Sequence, residues 1–233
     1  MWVFHHIPKT AGSAIVRAWE ESLTRERCAN VFVSEEELRT RPDYDAIFDE
    51  KFRQFQARVA REDVPFVCGH FTHLQIDWLM ASGARLFVFL RHPIDRLISD
   101  YKYQLHPPSF APEEFALRYP SFEHFIRDQD LHNTMCRFIS GEANANTAFQ
   151  RLKNYAFAGT TDNLSETNQL IMIKAGVVPQ PLARVNTSLE VSKRRMGDKA
   201  RYLPILERLE SEDLALYEQV SARMKDALVS LQG

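Results

Sequence analysis

The chain has 233 residues, with 29 Lys plus Arg against 31 Asp plus Glu and 45% hydrophobic residues. That length buries a sizeable core without disulfide or metal staples, and the composition excludes collagen-like, low-complexity and wholly disordered chains. A net charge of −2 gives no global attraction for nucleic acid or anionic membrane, so any anion site must be local.

The N-terminus runs from Met1-Trp2-Val3-Phe4 straight into His5-His6-Ile7-Pro8-Lys9, without the charged and apolar regions of a secretory signal. No apolar run approaches the roughly 20 residues of a membrane span. A cytoplasmic location is the expectation. Cys28, Cys68 and Cys136 include no CxxC pair, so neither a zinc site nor a disulfide framework is indicated. Isolated thiols suit a reducing compartment. No repeat, linker or domain boundary is visible, and residues 1–233 are read as one domain.

Short apolar runs at Trp2–His6, Pro65–Cys68, Arg85–Leu90 and Ala156–Gly159 predict buried strands. Helical patterns follow them. Ile15, Ala18, Trp19 and Leu23 recur at helical spacing after the first. Pro93 opens a helix with Ile94, Leu97, Ile98 and Tyr101 on one face, and proline is well placed there because its missing N–H would be unpaired anyway. A further helix runs from Asn163 to Lys174, residues 121–154 read as helices, and terminal helices span about 204 to 229. Residues 106–121, with four prolines, read as a surface excursion. Strands alternating with helices give an α/β fold: a parallel sheet flanked by helices, with a helical C-terminal extension.

Between the first strand and its helix lies His6-Ile7-Pro8-Lys9-Thr10-Ala11-Gly12-Ser13. Ala11 and Gly12 are small enough for a ligand to approach the backbone. The helix start offers unpaired N–H groups and a positive dipole end. Lys9 adds a cation, and Thr10 and Ser13 add hydroxyls. These are the components of a phosphate or sulfate cradle. GxxxxGK[ST] is absent, which counts against an ordinary ATP or GTP enzyme.

A second basic group follows the third strand, in Arg91-His92-Pro93-Ile94-Asp95-Arg96-Leu97-Ile98-Ser99. Arg91 falls at a strand's carboxyl end, where ligands bind in open α/β sheets. An arginine fork and the Ser99 hydroxyl can hold a second phosphate. Arg96 is read as a salt-bridge partner of Asp95 or Asp100. His70, after Pro65-Phe66-Val67-Cys68-Gly69, would stand at the same edge and suits a general base, with an ordinary pKa of about 6.5. His73 is the runner-up. His5 and His6 are read as packed, and His92 is read as lining the site or facing solvent. Lys193-Arg194-Arg195 reads as a solvated loop. No metal-ligand cluster is visible.

HIPKTAGS at 6–13 resembles the 5′-phosphosulfate loop of membrane-type carbohydrate sulfotransferases and their bacterial relatives. RHPIDRLISDYKY at 91–103 resembles the 3′-phosphate motif RxPxxRxxSxYxY, with His92 in place of the more usual Asp. Gly69-His70-Phe71 resembles the segment carrying the catalytic histidine of uronyl 2-O-sulfotransferases. Weaker likenesses lie at 158–164 (AGTTDNL) and 211–217 (SEDLALY). The resemblance implies a P-loop-like fold and the donor 3′-phosphoadenosine 5′-phosphosulfate, without a metal. It also implies an acceptor hydroxyl, on a glycan or small molecule. Lys9, Thr10, Ala11, Gly12 and Ser13 would then hold the phosphosulfate, with Lys9 meeting charge on the leaving oxygen. Arg91 and Ser99 would bind the 3′-phosphate and His70 would be the base. Segments around 106–120 and 140–150 would be loops shaping acceptor choice. A nucleotide kinase with a degenerate loop and an inactive nucleotide- or glycan-binding module are the competing readings.

Overall fold

The computed structural model describes residues 1–34, 37–38, 43–106, 109, 111–182 and 199–232. Five strands pair in parallel: β1 (Trp2–His5), β2 (Cys28–Val31), β3 (Phe66–Gly69), β4 (Arg85–Leu90) and β5 (Phe157–Thr160). Their order is β2-β3-β1-β4-β5. Strands alternate faces with a period of two, and the side chains divide accordingly. Val3, Val67, Leu86, Val88 and Leu90 pack on one face, and Phe4, Phe66, Cys68, Phe87 and Phe89 on the other. A sheet buried on both faces needs such continuous apolar runs, which is why β1, β3 and β4 stand out in the sequence.

On the second face lie α1 (Gly12–Leu23), through Ile15, Ala18 and Trp19, and the helix at 164–174, through Ile171 and Met172. The first face is covered by α2 (Tyr44–Val59) and α3 (His73–Ala81), and by helices from 134 onward. In α2, Phe48, Phe52 and Phe55 recur at helical spacing on the buried side. β2 and α2 add to the elements predicted from sequence. β2 is a four-residue edge strand whose Asn30 is exposed, so no apolar run marks it.

Beyond β4, α4 (Pro93–Gln104) builds a third cluster with Leu97, Tyr101, Phe122, Phe125 and Leu206. The surface excursion expected at 106–121 is in part a helix, α5 (Pro112–Arg118). Phe115 and Ala116 pack on the third cluster, and Tyr119 just beyond is buried, while Leu117 stays exposed. After the single turn α6 (Phe122–Phe125) come α7 (Thr134–Ser140) and α8 (Ala145–Leu152). The expected loop at 140–150 is therefore largely α8, because Ala145, Ala148 and Leu152 bury one side of it. α9 (Leu164–Lys174) follows β5, and the C-terminal extension is α10 (Leu203–Leu209) and α11 (Ser211–Gln232). No helix among the described residues is long and apolar enough to cross a membrane.

Two helix starts cap one another. The Asp213 carboxylate accepts from Met135 N and Cys136 N at 2.9 and 2.8 Å, in the first turn of α7. Asn133, preceding α7, returns the favour: its Oδ1 accepts from Glu212 N and Asp213 N, each at 3.1 Å, in the first turn of α11. Glu212 accepts from Ala145 N at 2.8 Å, at the start of α8. Glu210 holds His132 Nδ1 at 2.6 Å and Asn133 N at 3.2 Å. Three helix N-termini thus receive carboxylate or amide oxygens, as their orphan N–H groups and dipoles require. This fastens α11 to the body.

Asp213 is fully buried, so Asp213→Ala strands two buried N–H groups at once. It is expected to cost roughly 3 kcal/mol or more, and Glu212→Ala, with one bond, about 1 kcal/mol. Denaturant midpoints of the two variants check this; equal losses would contradict it.

Candidate active site

Parallel pairing puts every strand's carboxyl end on one edge. There the chain places the 6–13 loop after β1, His70 after β3, Arg91 and His92 after β4, and Thr160 at the end of β5 with Thr161 and Asp162 after it.

The 6–13 loop is curled by two L-residues in the positive-φ region, Lys9 at 70° and Ala11 at 69°. Each such residue costs about 1 kcal/mol or more and persists only where its surroundings demand it. The result is a row of free donors. Thr10 turns inward, its N–H and hydroxyl both reaching Ile7 O, at 3.3 and 2.8 Å. The N–H groups of Ala11, Gly12 and Ser13 meet no acceptor among the described residues. The Thr10 hydroxyl, expected to face a ligand, is buried and closes the turn instead.

Gly12 is packed on its side-chain side by His6: a Cβ there would stand 2.1 Å from Nε2 of the His6 ring. The His6 ring also stacks on Phe4 (5.4 Å between centroids) and meets Phe32 edge-on (5.6 Å).

The structure brings Lys9 and Arg91 together. Arg91 Nη1 donates to Lys9 O at 3.2 Å and so braces the loop from the end of β4. The Lys9 ammonium rests 3.7 Å from the centre of the Tyr103 ring, a cation–π contact. Burial lowers the Lys9 pKa, with Asp100 opposing and Arg91 and Arg96 adding to the fall. Burial likewise lowers Arg91. Ser99 is half-buried on α4, four residues before Tyr103, so the two share a helix face and Ser99 lies on the side turned to Lys9. Tyr103 fits the last position of the RxPxxRxxSxYxY pattern, and its place under Lys9 is visible only in the structure.

Arg96 is structural, as expected. It is fully buried and bonds Asp100 at 3.4 Å, Thr134 Oγ1 at 3.1 Å and Leu131 O at 3.4 Å.

His70 lies beside the loop, its Nε2 3.1 Å from His6 Nδ1. Phe32 and Phe138 flank it, at 4.8 and 6.5 Å between centroids. Burial first, then the Lys9 charge, lowers its pKa to about 4. The imidazole is therefore neutral at pH 7, the state a base requires, although its basicity falls below the ordinary value assumed from sequence. His5 is buried and packed, as expected. Its Nε2–H donates to Phe71 O at 2.9 Å, which leaves Nδ1 to accept from Tyr155 O–H at 2.8 Å. Burial pushes it down to about 3. His73 packs its ring against Gly141, at the end of α7, and its carbonyl accepts from Arg151.

His92 turns toward the C-terminal helix and meets the Tyr217 ring edge-on at 5.6 Å. Tyr217 O–H donates to Asp162 Oδ2 at 2.7 Å, and Thr160 Oγ1 lies 3.4 Å from the same oxygen. The 158–164 and 211–217 segments, weak as separate motifs, are thus joined directly at the edge that carries Arg91. Lys193, Arg194 and Arg195 lie outside the described residues. Among the described residues, no group of three or more His, Cys, Asp or Glu converges as a metal site.

A helix-start loop at the head of a parallel sheet, braced by Arg91 and with His70 beside it, is an arrangement suited to an anionic ligand. The Sulfotransferase family model matches residues 2–228, nearly the whole chain, and the protein belongs to that family. No curated protein matches. A solved structure, a sulfotransferase from Alicyclobacillus acidocaldarius, aligns over 93% of this chain and 95% of that one, with 13% identity and a TM-score of 0.43.

The histidines set a pH dependence. His5 and His70 are held at about 3 and about 4 when folded, and burial holds His6 well down too; an unfolded histidine titrates near about 6.5. Between those values the unfolded chain binds more protons, so stability is lost as pH falls from about 6.5 toward 4. Burial raises Asp213 to about 6, and at His132 burial is outweighed by the Glu210 carboxylate, which raises it; these two act in the opposite sense against the three. Lowering pH from 7 to 5 is expected to cost about 2 kcal/mol through His5 alone. Denaturant midpoints at the two pH values test this; an equal or higher midpoint at pH 5 would contradict it.

Proposed function

We propose that the protein transfers a sulfuryl group from 3′-phosphoadenosine 5′-phosphosulfate to an acceptor hydroxyl, with residues 1–233 acting as one catalytic domain. The observation that carries this reading is the set of three unpaired N–H groups at Ala11, Gly12 and Ser13, beside the Lys9 ammonium and braced by Arg91. Such a row of donors at a helix start suits the oxygens of a phosphosulfate.

In this reading Ala11, Gly12 and Ser13 hold the 5′-phosphosulfate through the backbone, and Thr10 contributes by closing the turn. Lys9 moves from Tyr103 to the bridging oxygen and meets the charge that grows there as its bond to sulfur breaks. Electrostatic stabilisation of this kind, in a site that excludes water, is the main source of rate in related phosphoryl transfers. Arg91 uses one N–H on Lys9 O, and its other donors, with Ser99, take the 3′-phosphate that ATP lacks. His70 removes the acceptor proton. A bound donor adds negative charge beside His70 and Lys9, which raises the pKa of both. The acceptor is a hydroxyl-bearing glycan or small molecule.

Calorimetric titration with 3′-phosphoadenosine 5′-phosphate tests the donor, with AMP and ATP as controls. Micromolar binding is expected for the bisphosphate and much weaker binding for AMP, with a loss of roughly tenfold or more in Arg91→Ala. Equal or tighter ATP binding would overturn the reading in favour of a kinase.

A further inference from the structure

We propose that His6 is a positioning residue: it holds His70 by Nε2, assigns proton acceptance to His70 Nδ1, and does so only when an anion occupies the 6–13 loop. The inference rests on His70 being the base.

His6 is immobilised on every side. Its N–H donates to Gly69 O at 3.1 Å, tying it to the end of β3. Its ring lies between Phe4 and Phe32 and fills the space where a Gly12 side chain would stand. Phe32 also meets His70 edge-on, at 4.8 Å. The 3.1 Å link between His6 Nδ1 and His70 Nε2 is therefore fixed by packing rather than by two mobile side chains.

Two neutral imidazoles carry one N–H each, and a single proton lies between them. If His6 Nδ1 supplies it, His70 keeps its own proton on Nδ1 and has no lone pair there for an acceptor. If His70 Nε2 supplies it, His70 Nδ1 is free to accept, and His6 carries its proton on Nε2. That Nε2 is buried, has no partner among the described residues, and faces Gly12 at the start of α1. A buried N–H with no acceptor is costly, so the empty loop disfavours the arrangement that catalysis needs. An anion oxygen seated on the N–H groups of Ala11, Gly12 and Ser13 supplies the missing acceptor. Loading the loop thus arms His70, with no movement of the backbone.

The step balances. The acceptor proton goes to His70 Nδ1, and the acceptor oxygen forms its bond to sulfur. The bond from sulfur to the bridging oxygen breaks, leaving its electron pair on 3′-phosphoadenosine 5′-phosphate. The imidazolium formed at His70 is stabilised by donating Nε2–H to His6, the part an orienting third group plays in a triad.

Nitrogen-15 NMR of the histidine rings in the full chain, free and saturated with 3′-phosphoadenosine 5′-phosphate, reads the tautomers directly. The expected change on binding is His70 to the Nε2–H form and His6 to the Nε2–H form. A bound His70 protonated on Nδ1, or the same tautomers in both states, overturns the proposal. Kinetics give a second readout, with a sulfur-35 donor and a panel of 2-naphthol, N-acetylglucosamine and uronic-acid oligosaccharides as acceptors. His6→Phe keeps the ring packing and is expected to lower kcat about tenfold or more, within the roughly 10²–10⁴ a general base supplies. Its bisphosphate affinity should fall too, because the Nε2–H donor to the anion is lost, but by less than kcat, since the loop N–H groups remain. His6→Asn, whose amide oxygen stands near the Nδ1 position, should recover most of the loss. An unchanged kcat in His6→Phe, an unchanged bisphosphate affinity in His6→Phe, or no recovery of kcat in His6→Asn overturns the assignment. The underlying reading fails separately, by full activity in His70→Ala or by absent bisphosphate binding in the wild type.

Discussion

Parallel pairing of β3, β1 and β4 is the constraint on which the rest of the molecule depends. The register His5↔Gly69 brings the end of β1 level with the end of β3. The residues that follow, His6 and His70, are consequently neighbours, although 64 positions separate them. The register of β1 with β4 does the same for Lys9 and Arg91. An antiparallel β3 or β4 would send His70 or Arg91 to the opposite edge. Strands of this kind, buried on both faces, are held by their apolar side chains. The chemistry of the edge is thus positioned by the aromatic and aliphatic content of the core.

Local strain at the edge is tolerated because that core is rigid. Lys9 and Ala11 adopt positive φ without being glycine, and the loop is clamped by the Thr10 turn, by Gly69 O and by Arg91. Gly12 is required for a different reason: it lets the His6 ring reach His70. Far from the loop, Asn133, Glu212 and Asp213 anchor α11, which carries Tyr217 to Asp162 and His92.

Much of this is legible in the sequence, and the limits have physical reasons. β1, β3 and β4 are visible because burial on both faces demands unbroken apolar residues. β2 is not, since an edge strand of Cys28, Ala29, Asn30 and Val31 buries only part of its surface. The 6–13 loop reveals its chemistry because small residues, a cation and a helix start are contiguous. The roles of individual atoms are not contiguous properties. Thr10 directs its hydroxyl to Ile7 O, and Gly12 makes room for the His6 ring; both depend on where the chain curls. The His6–His70 pair and the Tyr217–Asp162 bond join residues 64 and 55 positions apart, beyond the reach of any local pattern. The pKa of His70 depends on burial, and so departs from the ordinary value that residue type alone suggests.

In the proposed function the 6–13 loop and His70 act as a single sulfuryl-transfer site. Its most direct test is transfer of sulfur-35 from 3′-phosphoadenosine 5′-phosphosulfate to hydroxyl acceptors by wild type, Lys9→Ala and His70→Ala. A labelled sulfate ester is expected from the wild type, with losses of about a hundredfold or more in each variant. Undiminished sulfation in both variants, or phosphoryl transfer from ATP in place of sulfation, would contradict it.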